Sequence, residues 1–310
     1  IEHIISVPLS EDLISGAITD LMRESMIRAN SPMFRVRERF YGEIFAGHPF
    51  GEPIFPAVKP DPDAETISSF RRDYFSGANI IATLVSGLPR DEAEALLKKI
   101  FEKTIPDNGL AGCPLFPEQT VSGRRKVTAE SGGAYLLAGF SGKQRDPGET
   151  AAVAVASEVL DRRIKNEIRE KRGLAYSTGC DFKLIRGGFV VEIHLGTRSS
   201  NLDEASEAMM EELTSLLSNK PGEGEIEVAV RRICGGRARR GLSSINQAYA
   251  AGLELYCLSG KRFVNEVVDT GIEQVHQTIE AFFDPDRVLY FEMVPEQPGA
   301  EEKSGFQGMK

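Results

Sequence analysis

The chain has 310 residues, enough for two domains that each bury a core, and its 41% hydrophobic and 27% charged residues exclude a disordered or fibrous protein. A formal net charge of -9 argues against nucleic acid as the main partner. No apolar run approaches the ~20 residues needed to span a bilayer, so no membrane span is expected.

The opening, IEHIISVPLS, has no basic segment ahead of an apolar one, so no signal peptide is expected. A mature exported chain would read the same way, which leaves cytoplasm and periplasm both open. Residues 11–30 read as a helix, with Leu13, Ala17 and Leu21 four apart. A second helix over 64–74 leads into an apolar strand over 79–87, and a third helix covers 90–103. Residues 104–123, rich in proline and glycine and without periodicity, read as an interdomain linker.

Beyond the linker, 125–142 offers two short strands. Residues 149–171 form a long helix whose inner face carries Val153, Ala156, Leu160, Ile164 and Ile168. The stretch 173–196 alternates on both arms with Arg186, Gly187 and Gly188 at the turn, a hairpin pattern. In its second arm Glu192 and His194 share one face, opposite Phe189, Val191, Ile193 and Leu195. That face reads as solvated, with the lining of a substrate cleft as the alternative. Asn201, with Glu204 three residues later, opens a helix over 202–219. Helices over 225–240, 243–258 and 272–283 and a strand over 287–294 follow, and 297–310 is a polar tail.

Within 225–240, Arg231, Arg232, Arg237, Arg239 and Arg240 read as the wet face of a helix, with recognition of a carboxylate or an acidic peptide as the alternative. Cys113, Cys180, Cys234 and Cys257 show no Cys-x-x-Cys spacing and sit among apolar or small residues, so four buried free thiols are expected.

The chain also repeats itself. TISSF at 66–70 and TIEAF at 278–282 each lie in a helix that turns into an apolar strand, and Glu43-Ile44-Phe45 matches Glu254-Leu255-Tyr256. The two offsets, 212 and 211 residues, nearly agree, and the shared element order suggests a duplicated fold. Residues 1–103 then form the rear part of a first lobe and 124–296 a second lobe. The block 124–220 has no counterpart ahead of residue 11, so the first lobe is expected to be completed by another piece.

Three segments carry a resemblance: IREKRGLAYS at 168–177, HPFGEP at 48–53 and RESMIRANSP at 23–32. In order and context they resemble the pitrilysin/insulinase family of zinc metallopeptidases, the inverzincins. That resemblance implies an α+β fold of two homologous lobes, each an antiparallel sheet with helices packed on it, the first incomplete here. It also implies a peptide or unfolded polypeptide as substrate, with either a homologous partner subunit or a homodimer.

Carried over by position, Arg169 and Tyr176 match the pair that contacts substrate near the scissile bond. The residue chemistry suits that role: Arg169 is a permanent forked cation able to hold a peptide carbonyl, and Tyr176 offers a phenolic donor to a developing oxyanion. Read without the family, Arg169 would bond the last helix carbonyls and Tyr176 would pack at a sheet rim. Glu24 matches the third zinc-ligand position, counted back from Ser31-Pro32, although the partner carboxylate seven residues earlier is replaced by Ala17.

The H-x-x-E-H motif is absent, and no two of His3, His48, His194 and His276 have zinc-binding spacing. His48, ahead of proline in a turn, reads as a structural cap. Zinc is therefore expected in the complete assembly and not on this chain alone. The resemblance implies that the chain contributes the arginine–tyrosine half of a peptide-hydrolysing site. The alternative is a non-catalytic peptide-binding or structural subunit of the same fold.

Overall fold

Five segments build a single sheet among the described residues: β1 (Gly123–Ala129), β2 (Ala134–Lys143), β3 (Ser177–Ile185), β4 (Gly188–Thr197) and β5 (Leu289–Pro295). The computed structural model describes residues 8–55, 58–75, 77–102, 114–129 and 133–295. His3, Cys113, linker residues 104–113 and the tail 297–310 lie outside them. The strand order is β1-β5-β2-β4-β3. The α+β class is as expected, but the sheet is mixed and not wholly antiparallel, because β1 runs parallel to β5. A parallel pair needs a long crossover, and the residues between β1 and β5 supply it.

The helices are α1 (Glu11–Ala29), α2 (Pro32–Ile44), α3 (Ala64–Tyr74), α4 (Arg90–Glu102), α5 (Pro147–Ile164), α6 (Leu202–Ser218), α7 (Glu223–Arg240), α8 (Ser244–Leu258), α9 (Phe263–Val268) and α10 (Ile272–Phe282). The sequence reading did not isolate α2, although its signals are present. Ser31 caps it by accepting from the Phe34 amide at 3.4 Å, Pro32 stands in its first turn, and Val36, Phe40 and Ile44 fall four apart.

The expected strand over 79–87 does not form. Residues 80–86 pair with no strand among the described residues, and Ile81, Leu84 and Val85 stay exposed. They run instead beside α8, where the Thr83 hydroxyl donates to the Ala248 carbonyl at 2.7 Å.

The sheet is covered on both faces by different parts of the chain. On one face Leu136, Phe140, Ile193 and Leu195 meet Val155 and Leu160 of α5, Met209 of α6 and Ile279 of α10. On the other, Leu137, Val190, Phe291 and Met293 receive Val36, Phe40 and Ile44 of α2, with Phe45 behind them. Each such side chain contributes about 1.5–3 kcal/mol relative to exposure, so α2 is held on this sheet by several kcal/mol of apolar burial. Cys180 and Cys257 are buried as expected, whereas Cys234, where α7 borders an open groove, is only half-buried.

Candidate functional site

The end of α5 places Arg169. This helix starts on Asp146, whose carboxylate accepts from the Glu149 amide at 2.9 Å, and it is buried almost to its end. It then widens into a π turn over Lys165–Lys171, with the Arg172 amide bonded five residues back to the Glu167 carbonyl at 3.1 Å. Gly173 stops it at φ +63°, a left-handed conformation in which an L side chain is strained. The Leu174 amide then closes on the Ile168 carbonyl at 2.9 Å, one residue further back than in a Schellman cap because the turn is a π turn, and both side chains are buried.

The charges of this turn are unequally committed. Glu167 takes Lys171 at 2.7 Å and Arg172 at 3.0 Å, and Arg172 also reaches Glu211 at 3.1 Å. Hydrogen bonds from Lys171 and Arg172 hold the Glu167 carboxyl below its ordinary range. Arg169 meets the neighbouring Glu170 at 3.7 Å, and its side chain is 54% exposed. It is a guanidinium with donors to spare.

Tyr176 enters the sheet three residues after the glycine. Its amide donates at 3.1 Å to the carbonyl of Gly196, the residue that pairs with Ser177, so it bonds one position out of register at the start of the β3–β4 ladder. Its ring lies across Gly196, where a Cβ would come within 2.8 Å of the ring carbons. A glycine is therefore needed at 196. Tyr135, opposite Gly196 on β2, meets the ring edge-on at 6.3 Å between centroids. Burial, and then the hydrogen bond with Tyr135, push the Tyr176 phenol up to about 12. The hydroxyl thus stays protonated, a donor, while the residue as a whole remains 55% exposed.

Gly196, His194 and Glu192 alternate on β4, so Tyr176 lies over the same sheet face as His194 and Glu192. Beyond that face the expectations diverge. The predicted solvated position of Glu192 is wrong, because α2 covers it and it is fully buried. Its carboxylate accepts from Arg37 at 2.9 Å and from the Tyr41 hydroxyl at 2.7 Å, and it pairs with Lys183. Burial and then Glu192 push the Tyr41 phenol far above its ordinary value. His194 is partly open with its Nδ1 3.4 Å from Asp181, and the imidazole's closeness holds the Asp181 carboxyl below its usual range against burial. Arg37, Tyr41, Lys183 and Tyr135 were not found by sequence reasoning. A glutamate in an otherwise apolar strand, with an arginine and a tyrosine four apart on a helix, was the available signal.

His48 is the cap it was read to be, its Nδ1 accepting from the Phe50 amide at 3.2 Å. Glu24 stands on α1 and is ion-paired with Arg28 at 2.8 Å. A catalytic zinc takes about three protein ligands. Among the described residues no three His, Cys, Asp or Glu side chains gather to hold a metal, so these residues do not by themselves fit a zinc ion.

The model of the peptidase M16 inactive domain matches residues 63–233, more than half of the chain. The chain belongs to the peptidase M16 family. The resemblance to the pitrilysin/insulinase metallopeptidases read from the sequence is therefore borne out. An uncharacterized zinc protease of Streptomyces coelicolor is 23% identical over 239 residues, covering 72% of this chain and 51% of that protein. Two crystal structures share the fold. A peptidase M16 inactive domain from Pseudomonas fluorescens has a TM-score of 0.82 at 19% identity, covering 94% of this chain and 72% of its own. A protease from Helicobacter pylori has a TM-score of 0.81 at 17% identity, covering 94% and 74%. The chain spans about half the length of the curated relatives it matches first. No helix among its described residues is long and apolar enough to cross a membrane.

Proposed function

We propose that this M16 chain contributes the substrate-holding, oxyanion-stabilising half of a peptide-hydrolysing site, through Arg169 and Tyr176. The observation that carries the reading is the exposed pair itself. Gly173 bends the chain so that an under-committed guanidinium and a protonated phenol stand on either side of one short break. Arg169 would hold a peptide carbonyl by its fork, and Tyr176 would donate to the oxygen that gains charge as that carbonyl is attacked. The zinc implied by the relatives' names would be held elsewhere in the complete assembly, by further residues of the protein or by a homologous partner subunit or second copy.

A duplicated fold is supported by a reciprocal contact. Helix α2 of the first half packs on β5, the strand that follows α10. Helix α8 of the second half is met by Thr83, in the segment that follows α3. These are the two elements whose ends, Glu43–Phe45 and Glu254–Tyr256, match in sequence.

The test is Tyr176→Phe in the complete assembly. Turnover of a peptide substrate should fall at least about tenfold, roughly 1.4 kcal/mol of barrier. Unchanged turnover would sink the oxyanion role. A second reading, a non-catalytic peptide-binding or structural subunit, is favoured by the description of the matching domain as inactive. It predicts peptide binding by the assembly with no turnover to lose.

A further inference from the structure

One cation near Tyr176 has no part in the fold or in the site as described so far. Arg198 follows β4 directly, and with φ -76° and ψ 149° it keeps the extended backbone of that strand. The β2–β4 pairing ends at Ala134–Thr197, so the next step of its register sets Arg198 opposite Gly133. Side chains alternate along a strand, which puts Arg198 on the face of Gly196, His194 and Glu192. The Tyr176 ring lies over that same face, across Gly196.

The Tyr176 hydroxyl marks the row. It fills the space that a side chain at 133 would need, since a Cβ there would stand 3.0 Å from it. Directly opposed residues carry their Cβ atoms about 5 Å apart. The phenol therefore ends in the row of Arg198, within the span of an arginine side chain.

Nothing among the described residues engages this cation. Arg198 is exposed and has no acidic partner among them. It makes no side-chain bond to the turn Ser199–Asn201 that it opens. It stands ahead of the N-terminal end of α6, where a helix dipole disfavours positive charge, so the helix does not account for it either. Lys171 and Arg172, in the turn that carries Arg169, are by contrast committed to Glu167. In a chain of net charge -9, an uncommitted guanidinium beside the phenol is suited to a ligand carboxylate.

We propose that Arg198 is a specificity-determining residue of the Arg169–Tyr176 site and binds the carboxylate of an aspartate or glutamate beside the scissile bond of a peptide substrate. The inference rests on the peptide-hydrolysing reading above and adds a substrate class to it: acidic peptides are taken in preference to basic ones. Arg169 holds main chain and reads no sequence, whereas Arg198 reads a side chain. A substrate lysine in the same place meets like charge, so selection works by attraction and by repulsion.

The test uses the complete assembly and three quenched-fluorescent decapeptides, identical except for glutamate, glutamine or lysine at the two central positions. The parent should favour the glutamate peptide over the lysine peptide in kcat/KM by at least about tenfold, and Arg198→Glu should reverse that order. Arg198→Lys, which keeps the charge, should retain it. Where no peptide is turned over, Kd from calorimetry supplies the same ratio. The proposal is overturned if the parent does not favour the glutamate peptide, or if Arg198→Glu changes all three peptides by one factor. Tyr176→Phe separates this outcome from the oxyanion role, because it should lower turnover of all three peptides equally and preserve their order. If Tyr176→Phe leaves turnover intact while Arg198→Glu reverses the preference, the oxyanion role falls and the role of Arg198 stands. If Tyr176→Phe impairs turnover and Arg198→Glu leaves the order as it was, only the role of Arg198 falls.

Discussion

Arg37 on α2 donates to Glu192 on β4 at 2.9 Å, joining residues 155 apart in sequence across the interface between the two halves of the chain. Glu192 is fully buried, while Arg37 and Lys183 keep part of their surface in water, so the pair of cations compensates a carboxylate that burial alone would disfavour. We expect Arg37→Leu to cost on the order of 2 kcal/mol, because it removes a charge-assisted bond to a buried anion that keeps its other two partners. Urea denaturation measures this. A midpoint equal to the parent's would show that α2 is held by its apolar face alone.

Tyr135 should set the acidity of Tyr176. In Tyr135→Phe the Tyr176 phenol loses the hydrogen bond that helps raise it, and its ionisation should move down from about 12 toward the ordinary value of roughly 10. The raised value also means that the fold favours the neutral phenol. That contribution is fully present below the unfolded value and is lost as pH rises through about 12. Ultraviolet titration of the phenolate band, with Tyr176→Phe as the reference, reports the shift. An unmoved Tyr176 would show that burial by itself accounts for the value.

Gly173→Ala should destabilise the chain by about 1–2 kcal/mol, the cost of placing a Cβ in the left-handed region. No atom crowds the position, so the penalty is conformational and not steric. Thermal unfolding of the variant tests it, and a stability equal to the parent's would mean that the turn relaxes to another conformation.

The Asp181–His194 pair makes an acid-side prediction. Asp181 has a lowered value in the folded chain, first because His194 lies against it, and burial opposes that lowering. The pair's contribution to stability is therefore present above the unfolded carboxylate value and lost as pH falls through the lower folded one. Asp181→Asn should flatten stability against pH on the acid side and change it little at neutral pH, where half-exposed pairs are weak. Denaturation curves at several acid pH values, compared with the parent, would contradict this if the slopes matched.

Most elements could be read from the sequence because their signals are local. The 11–30 helix, the hairpin around Arg186–Gly188 and the helices after Asn201 follow from periodicity, capping and turn residues within a few positions of each other. The 79–87 segment departs from its sequence pattern for the opposite reason. Its alternation describes a side-chain pattern, but a strand requires backbone partners, and none of the described residues supplies one. The parallel placement of β1 against β5 was equally out of reach, since pairing direction depends on the path of the chain between two segments.

The sequence by itself determined the family, the α+β class and the composition of the Arg169–Gly173–Tyr176 break, because these rest on residue identity at fixed short spacing. Only the tertiary structure decided which charges are free. It buried Glu192 beneath a helix more than 150 positions away, tied Lys171 and Arg172 to acidic partners, and left Arg169 and Tyr176 open. A side chain's availability depends on what the fold brings against it, and those neighbours are set by packing over long sequence separations.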